Sequence, residues 1–330
     1  MDLKGKNILV TGACGFIGSH LVERLVESGA QVRAFVYYNA FNRWGWLDSL
    51  QQETVQKLEI FTGDIRDFHC VRKAMDKTEV VFHLAALIGI PYSYIAPESY
   101  VDSNIKGTLN VLQAAREVGV AKVIHTSTSE VYGTAQYVPI DERHPMQGQS
   151  PYSATKIGAD MLVESFCRSF DLPVAICRPF NTYGPRQSAR AIIPTIITQM
   201  MAKKEHVHLG NTDTTRDFNY VTDVVEGFIK IAESEKAIGE VINIGSGYEM
   251  SISALVQKIS QSLGRNLEVQ TDASRIRPPS SEVERLCADN SKAKNLLGWE
   301  PKVGLDEGLV RTAEWFSKNQ DKYKQGIYNI

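Results

Sequence analysis

Short apolar runs and longer amphipathic segments follow one another through the first half of the chain. The runs at 8–11, 31–36, 58–62, 80–84, 122–127 and 174–178 are four to six residues long. They are rich in Val, Ile, Leu and Phe, the signature of strands buried on both faces. Between them, 98–118 and 153–169 place apolar residues at helical spacing. Strand alternating with helix predicts an α/β fold built on a parallel, doubly wound sheet. After about residue 180 the alternation weakens and Pro, Arg and Asn gather. Segment 220–233 again reads as a helix with one apolar face, and Pro278-Pro279-Ser280-Ser281 marks a loop. The predicted organisation is a first domain over 1–180, to which 220–245 returns, and a smaller, discontinuous C-terminal domain over 181–330.

The first strand runs directly into Thr11-Gly12-Ala13-Cys14-Gly15-Phe16-Ile17-Gly18, and helical periodicity follows as far as Gly29. Strand, glycine turn and helix in this order let backbone N–H groups and the positive end of a helix dipole meet a pyrophosphate. The sheet is therefore expected to be a Rossmann-type, dinucleotide-binding one.

Tyr152 and Lys156 stand four residues apart, on one face of a helix that Ser150 caps and Pro151 opens. An ammonium beside a phenol favours phenolate, so the pair is expected to remove a proton from a hydroxyl. Alone, Tyr-x-x-x-Lys is a weak signal; behind a dinucleotide loop it reads as hydride-transfer chemistry.

Composition narrows the partners. The net charge is −2 without runs of one sign, which speaks against nucleic acid and anionic membranes. No apolar stretch approaches the roughly 20 residues of a membrane span, and Met1-Asp2-Leu3-Lys4 does not open a signal sequence. The five scattered cysteines (Cys14, Cys70, Cys167, Cys177, Cys287) suit a reducing compartment, so the expected location is cytoplasmic. His206-x-His208 has no Cys, Asp or Glu cluster beside it, and no metal is expected. His83 and His125 are expected to satisfy hydrogen bonds locally.

Further segments carry a resemblance. Thr11-Gly12-x-x-Gly15-x-x-Gly18, Gly63-Asp64-Ile65-Arg66-Asp67, His83-Leu84-Ala85-Ala86, Asn104, Tyr152-x-x-x-Lys156 and Arg178-Pro179-Phe180-Asn181-Thr182-Tyr183-Gly184-Pro185-Arg186 resemble the extended short-chain dehydrogenase/reductases of the NAD-dependent epimerase/dehydratase family. The likeness covers nearly the whole length. It implies a cofactor site made by Gly12, Gly15, Phe16, Ile17, Gly18, Tyr37, Asp64, Ile65, Leu84, Ala85, Ala86, Asn104, Thr126, Tyr152, Lys156, Pro179 and Asn181. Within that site Asp64 and Ile65 flank the adenine, Ala85 and Ala86 line the channel, and Lys156 holds the nicotinamide ribose. For Asn104 a purely structural tie between helix and strand weighs equally. The resemblance also implies a homodimer through helices 98–118 and 153–169.

Within that family Thr128-Ser129-Glu130 bears on the reaction. Thr128 falls where the reacting hydroxyl is hydrogen-bonded, and a glutamate at 130 resembles 4,6-dehydratases, in which it removes the C5 proton. Ser129 stands where many dehydratases carry an aspartate, as in GDP-mannose 4,6-dehydratases, so the acid for water loss stays open. Asn181, Arg186, Arg190, Arg216 and Arg277 are expected on the substrate, the arginines because paired guanidinium groups hold a diphosphate. The stretches 37–48, 127–133 and 188–190 resemble bacterial dehydratases acting on UDP-N-acetylglucosamine in legionaminic and pseudaminic acid routes, which implies a UDP-sugar substrate. Trp44 and Trp46 read first as packing residues. The alternatives are a C4 oxidoreductase acting on a 5,6-ene sugar, a 4-epimerase, and a non-catalytic cofactor-binding module. NAD, tightly bound, is the expected cofactor. The end of the second strand reads Phe35-Val36-Tyr37-Tyr38 without an acid, and Arg33 and Arg43 are the nearby cations, so NADP stays open.

Overall fold

The computed structural model describes residues 1–202, 206–265 and 268–324. Seven parallel strands form the main sheet: β1 (Asn7–Thr11), β2 (Gln31–Tyr37), β3 (Glu59–Gly63), β4 (Val80–His83), β5 (Lys122–Thr126), β6 (Val174–Pro179) and, after three further strands in sequence, β10 (Val241–Ile244). Their spatial order is β10-β6-β5-β4-β1-β2-β3. The order reverses beside β1, which places a crevice at the carboxyl ends of the strands. One apolar layer, including Leu21, Val22, Leu25, Val224 and Phe228, covers one face. Another, including Val111, Leu112, Val163 and Phe166, covers the other.

The chain after β6 builds a second core. Strands β7 (Asn181–Tyr183), β9 (Thr215–Tyr220) and β11 (Glu249–Ser251) form a small sheet, and β8 (His206–Leu209) pairs with β12 (Glu268–Thr271). Helices Ile192–Met201, Ile252–Ser262 and Leu305–Lys318 pack there through Ile196, Leu255 and Phe316. Trp46, from the loop after β2, reaches this core and lies against Trp315 and Tyr323, with ring centroids 5.5 and 5.7 Å away. Its packing role is thus a bridge between the two cores, while Trp44 is exposed.

Two elements differ from the sequence reading. Strand β10 is only four residues long and unalternating, too short for periodicity to register beside helix Val221–Glu233. The predicted helix 98–118 is instead Pro97–Tyr100, a π-helical turn Val101–Lys106 and then Gly107–Val118. A Cβ at Gly107 would lie 2.6 Å from Ile65 Cδ1, so the helix passes very close to the strand ends, and the widened turn carries Asn104 inward. Among the described residues no helix is long and apolar enough to cross a membrane.

Helix Val221–Glu233 ends against a buried cation. Lys122 Nζ donates to the carbonyls of Ile231 (2.6 Å), Ala232 (3.3 Å) and Ser234 (2.5 Å), three acceptors that a helix C-terminus leaves open. Lys122→Met keeps the stem and removes the donors, so unfolding in urea should show a loss of about 2–4 kcal/mol; an unchanged midpoint would refute the capping role.

Candidate active site

The glycine turn forms a cradle that side chains would fill. Gly12 has φ +70°, and a Cβ there would stand 2.7 Å from Ala85 N; a Cβ at Gly18 would collide with the Gly12 carbonyl. Helix Phe16–Glu27 starts at Gly15 without a side-chain cap, which leaves its first N–H groups for an anion. Thr11 binds the neighbouring strand end, its Oγ1 accepting from Ala85 N at 3.2 Å, while Leu84 N donates to Thr11 O. This close-packed, uncapped turn fits a dinucleotide pyrophosphate.

At the outer strand ends, Asp64 is gripped by Arg66, with Nε 3.0 Å from both carboxylate oxygens and Nη2 2.6 Å from Oδ2. The hydrogen bond from Arg66 holds the Asp64 carboxyl below its usual range. Ile65 is buried beside Gly107, and Tyr37 is 60% exposed. Arg33 turns elsewhere, to the carbonyls of Ala74 and Asp76 and to Glu59. It is therefore not a cation for the cofactor ribose.

Tyr152 and Lys156 lie on helix Pro151–Phe170, whose Ser150 cap accepts from Ser153 N through its Oγ and donates its own N–H to Ser153 Oγ, a capping box. Asn104 braces this helix: its Oδ1 accepts from Leu87 N, and its Nδ2 donates to Leu87 O and Thr155 Oγ1, at 2.9–3.0 Å. One asparagine so fixes the loop after β4, which holds Ala85 and Ala86, relative to the tyrosine. Thr128 caps the short turn Ser129–Tyr132 through a bond from Glu130 N, and this turn sets Thr128, Ser129 and Glu130 at the end of β5.

A buried ion pair that the sequence reading missed lies under these residues. Asp160 Oδ2 accepts from Arg178 Nη2 (2.9 Å) and Ser127 Oγ (2.7 Å), while Arg178 Nη1 donates to the Tyr132 hydroxyl (3.0 Å). Tyr132 passes its own proton donor to Asn243 Oδ1. Burial alone would raise the Asp160 carboxyl, but His125, 3.3 Å from Oδ1, together with Arg178 and Ser127 brings it to about 2. Spacing was the available signal, since Asp160 is one turn beyond Lys156. His83 bonds Thr11 Oγ1 and Thr108 Oγ1, whereas burial pushes both His83 and His125 down, His125 to about 4.

The electrostatics of the tyrosine depart from the expectation. Tyr152 is buried, and desolvation raises its phenol well above 10; a hydrogen bond with Thr128 acts the other way, and the Glu130 charge raises it further. Lys156 Nζ is directed to Thr126 O at 2.5 Å, and burial lowers its ammonium to about 8. In the free protein burial thus outweighs the lysine, and the phenol is protonated. The side-chain oxygens of Thr126 and Asn181 are buried and have no hydrogen-bond partner among the described residues, as groups awaiting a ligand would be. Pro179 lies buried at the end of β6, in register with Ile244.

The arginines divide into separate places. Arg216 and Arg277 share Glu282 Oε1, at 3.5 and 3.3 Å, and the charges of Glu130, Arg277 and Glu282 all act on Arg216, whose largest perturbation is burial. These two converge beside Glu130. Glu282 joins them five residues after Arg277, a neighbour the sequence reading did not weigh. Arg190 stands over Gly89, where an added Cβ would be 3.1 Å from its Nη1, close to the Tyr100 hydroxyl. Arg186 is elsewhere: at φ +67° it turns to the first helix, bonding Glu23 Oε2 (2.9 Å) and Ser19 Oγ (3.4 Å). Geometry therefore does not gather Arg186 with the substrate arginines, because Glu23 offers a nearby counter-charge. Among the described residues no three His, Cys, Asp or Glu side chains form a metal-binding group.

Comparison with known proteins agrees with this construction. The family model described as GDP-mannose 4,6 dehydratase matches residues 9–312. The chain is 33% identical to human dTDP-D-glucose 4,6-dehydratase, covering 97% of this chain and 92% of that protein. It superposes on the NAD-bound dTDP-glucose 4,6-dehydratase DesIV of Streptomyces venezuelae with a TM-score of 0.85 and 27% identity, covering 96% and 99% of the two chains. The UDP-N-acetylglucosamine 4-epimerase of Methanobrevibacter ruminantium gives 0.86 and 32%, covering 96% and 99%. Glycine cradle, Tyr152 and Lys156 on one helix and a match along almost the entire chain lead to one conclusion: the protein is an NAD-dependent sugar-nucleotide enzyme of the extended short-chain dehydrogenase/reductases and belongs to the GDP-mannose 4,6-dehydratase family.

Proposed function

We propose that this enzyme is a 4,6-dehydratase that converts a UDP-N-acetylhexosamine into its 4-keto-6-deoxy derivative, within the synthesis of a nonulosonic acid or another surface glycan. The observation that carries the reading is Glu130, a carboxylate whose charge acts on both Tyr152 and Arg216. A plain C4 epimerisation requires no carboxylate at that point, whereas dehydration requires a base for C5.

In this mechanism Arg216 and Arg277 hold the diphosphate and Arg190 lies nearer the sugar. Thr128 hydrogen-bonds the C4 hydroxyl and Tyr152 takes its proton, helped by the positive charge of Lys156. NAD, when bound, supplies the hydride acceptor for C4 and the hydride returned at C6. The C4 ketone acidifies C5, Glu130 takes the C5 proton, and the C6 hydroxyl departs as water with a proton from Glu130 or a relayed water, since Ser129 is not an acid; a solvent-derived proton then adds to C5 as C6 receives the hydride. Asn181 and Thr126 are assigned to the nicotinamide end. The residues 1–180 and 220–245 serve the cofactor and the remainder serves the sugar nucleotide. The helices that bear Val101, Leu109 and Met161, all exposed, are assigned to a homodimer contact.

A second reading is 4-epimerisation, favoured by the serine at 129 and by the similarity to an epimerase at 32% identity. Incubation with UDP-N-acetylglucosamine in deuterated water separates them: the dehydratase gives a product lighter by one water and labelled at C5, the epimerase an isomer of unchanged mass.

Two variants and a pH profile test the assignments. Tyr152→Phe should lower kcat by about 10²–10⁴-fold while the protein still binds cofactor. Glu130→Gln should abolish water loss yet leave C4 oxidation observable as reduced cofactor; full dehydration by that variant would refute the role of Glu130. Because Lys156 titrates at about 8 and its charged form assists Tyr152, kcat should fall as pH rises through that value. Activity sustained to pH 10 would show that the ammonium is dispensable.

A further inference from the structure

Arg186 stands apart from the other arginines, and its contacts lie on the helix that the glycine cradle opens. Helix Phe16–Glu27 leaves its uncapped N-terminus to the dinucleotide pyrophosphate. Ser19 and Glu23, four residues apart, share one face of that helix. Arg186 reaches both: its Nη2 donates to Glu23 Oε2 at 2.9 Å and its Nη1 to Ser19 Oγ at 3.4 Å. His20 adds a bond to the same loop, with Nε2 2.9 Å from the Pro185 carbonyl. A carbonyl only accepts, so Nε2 carries the proton. Burial and the Arg186 charge push this imidazole down to about 4, which keeps it neutral.

The loop after β7 is shaped for this attachment. Arg186 has φ +67°, a left-handed conformation that a side chain disfavours, and the contacts of its guanidinium hold the backbone there. Gln187 folds the loop back on β7, its Nε2 donating to Thr182 O at 2.8 Å, and Gln187 O accepts from the Tyr323 hydroxyl at 2.9 Å. β7 begins with Asn181, whose buried Oδ1 has no partner among the described residues. Segment 181–187 is therefore one stiff piece, with Asn181 at one end and the cofactor helix gripped at the other. The helix itself is fixed independently: Leu21, Val22 and Leu25 lie in the core, and Arg24 Nε donates to Glu226 Oε1 at 2.6 Å.

We propose that Arg186 is a positioning residue for the cofactor: with His20 it locks segment 181–187 onto the pyrophosphate helix, and this lock slows the escape of bound NAD. Two ends of the dinucleotide are then held by parts that stay together, the pyrophosphate by the helix and the nicotinamide end by Asn181 as assigned above. Release requires the loop to part from Ser19, His20 and Glu23. The inference concerns cofactor retention only and does not depend on which sugar is processed.

The test is release of cofactor from the holoenzyme, without sugar. Holoenzyme loaded with NADH is chased with excess NAD, and the decay of nicotinamide fluorescence gives the dissociation rate. Arg186→Gln should raise that rate about 10–100-fold, the range expected for hydrogen bonds to a charged group. Glu23→Gln should raise it too, and the double variant should add little to Arg186→Gln, because both remove one interaction. Arg186→Lys keeps a cation for Glu23 and should recover most of the retention. Arg24→Gln breaks another ion pair of the same helix without touching the loop, and it should leave the rate within about twofold of wild type. Titration of the same holoenzymes with UDP and dTDP separates a substrate role. Binding of a nucleoside diphosphate weakened about tenfold in Arg186→Gln, with NADH release unchanged, would make Arg186 a substrate ligand and overturn the proposal. Equal acceleration by Arg24→Gln and Arg186→Gln would reduce the effect to helix stability and overturn it as well, and so would wild-type release in both Arg186→Gln and Glu23→Gln.

Discussion

Everything at the candidate site rests on the buried pair of Asp160 and Arg178. It joins helix Pro151–Phe170 to β6, and through Ser127 and Tyr132 it also fixes the end of β5 and the turn that carries Thr128 and Glu130. Removing two charges from water is costly, and the pair is sustained by the contacts of Asp160 Oδ2 with Arg178 and Ser127 and by His125 beside Oδ1. Arg178 lies over the Tyr132 ring, 5.0 Å from its centroid, as well as bonding its hydroxyl. Tyrosine and lysine come from one helix and threonine from the turn after β5, and this network gives them a common frame. Loss of either partner would leave an uncompensated charge in the floor of the site.

Burial, which makes that frame rigid, also sets the charge states above it. Desolvation raises the Tyr152 phenol and lowers the Lys156 ammonium, so the two groups move apart in basicity. A phenol and an ammonium in water differ little in pKa, but here the same dry environment disfavours charge on both. A tyrosine that must be protonated at rest and basic only when a hydroxyl is in place fits such a balance better than a permanently ionised one. Thr128, already engaged with the phenol, sits where it can bond the same hydroxyl.

Much of this was legible in the chain. The strand runs, the glycine spacing, the Ser150-Pro151 helix start and the four-residue step from Tyr152 to Lys156 are local signals, and local sterics and capping enforce them. The sequence did not disclose pairings between distant residues. Arg186 follows a phosphate-binding-like motif, yet Glu23 lies across the crevice and takes it; Glu282 pairs with both Arg216 and Arg277. Such choices depend on which loop faces which, information that periodicity does not hold. Likewise the spacing of Tyr152 and Lys156 showed that they are neighbours but could not weigh burial against charge.

Glu282 also bears on how a diphosphate enters. Arg216 and Arg277 with Glu282 and Glu130 form a cluster of two positive and two negative groups, neutral in sum. On the proposed reading, a diphosphate brings further negative charge into a buried place, and it competes with Glu282 for the same guanidinium donors. Bidentate contacts to phosphate are stronger than the single 3.3 and 3.5 Å contacts of Glu282, so the exchange is favoured. Glu282 and an incoming diphosphate thus draw on one shared pair of arginines.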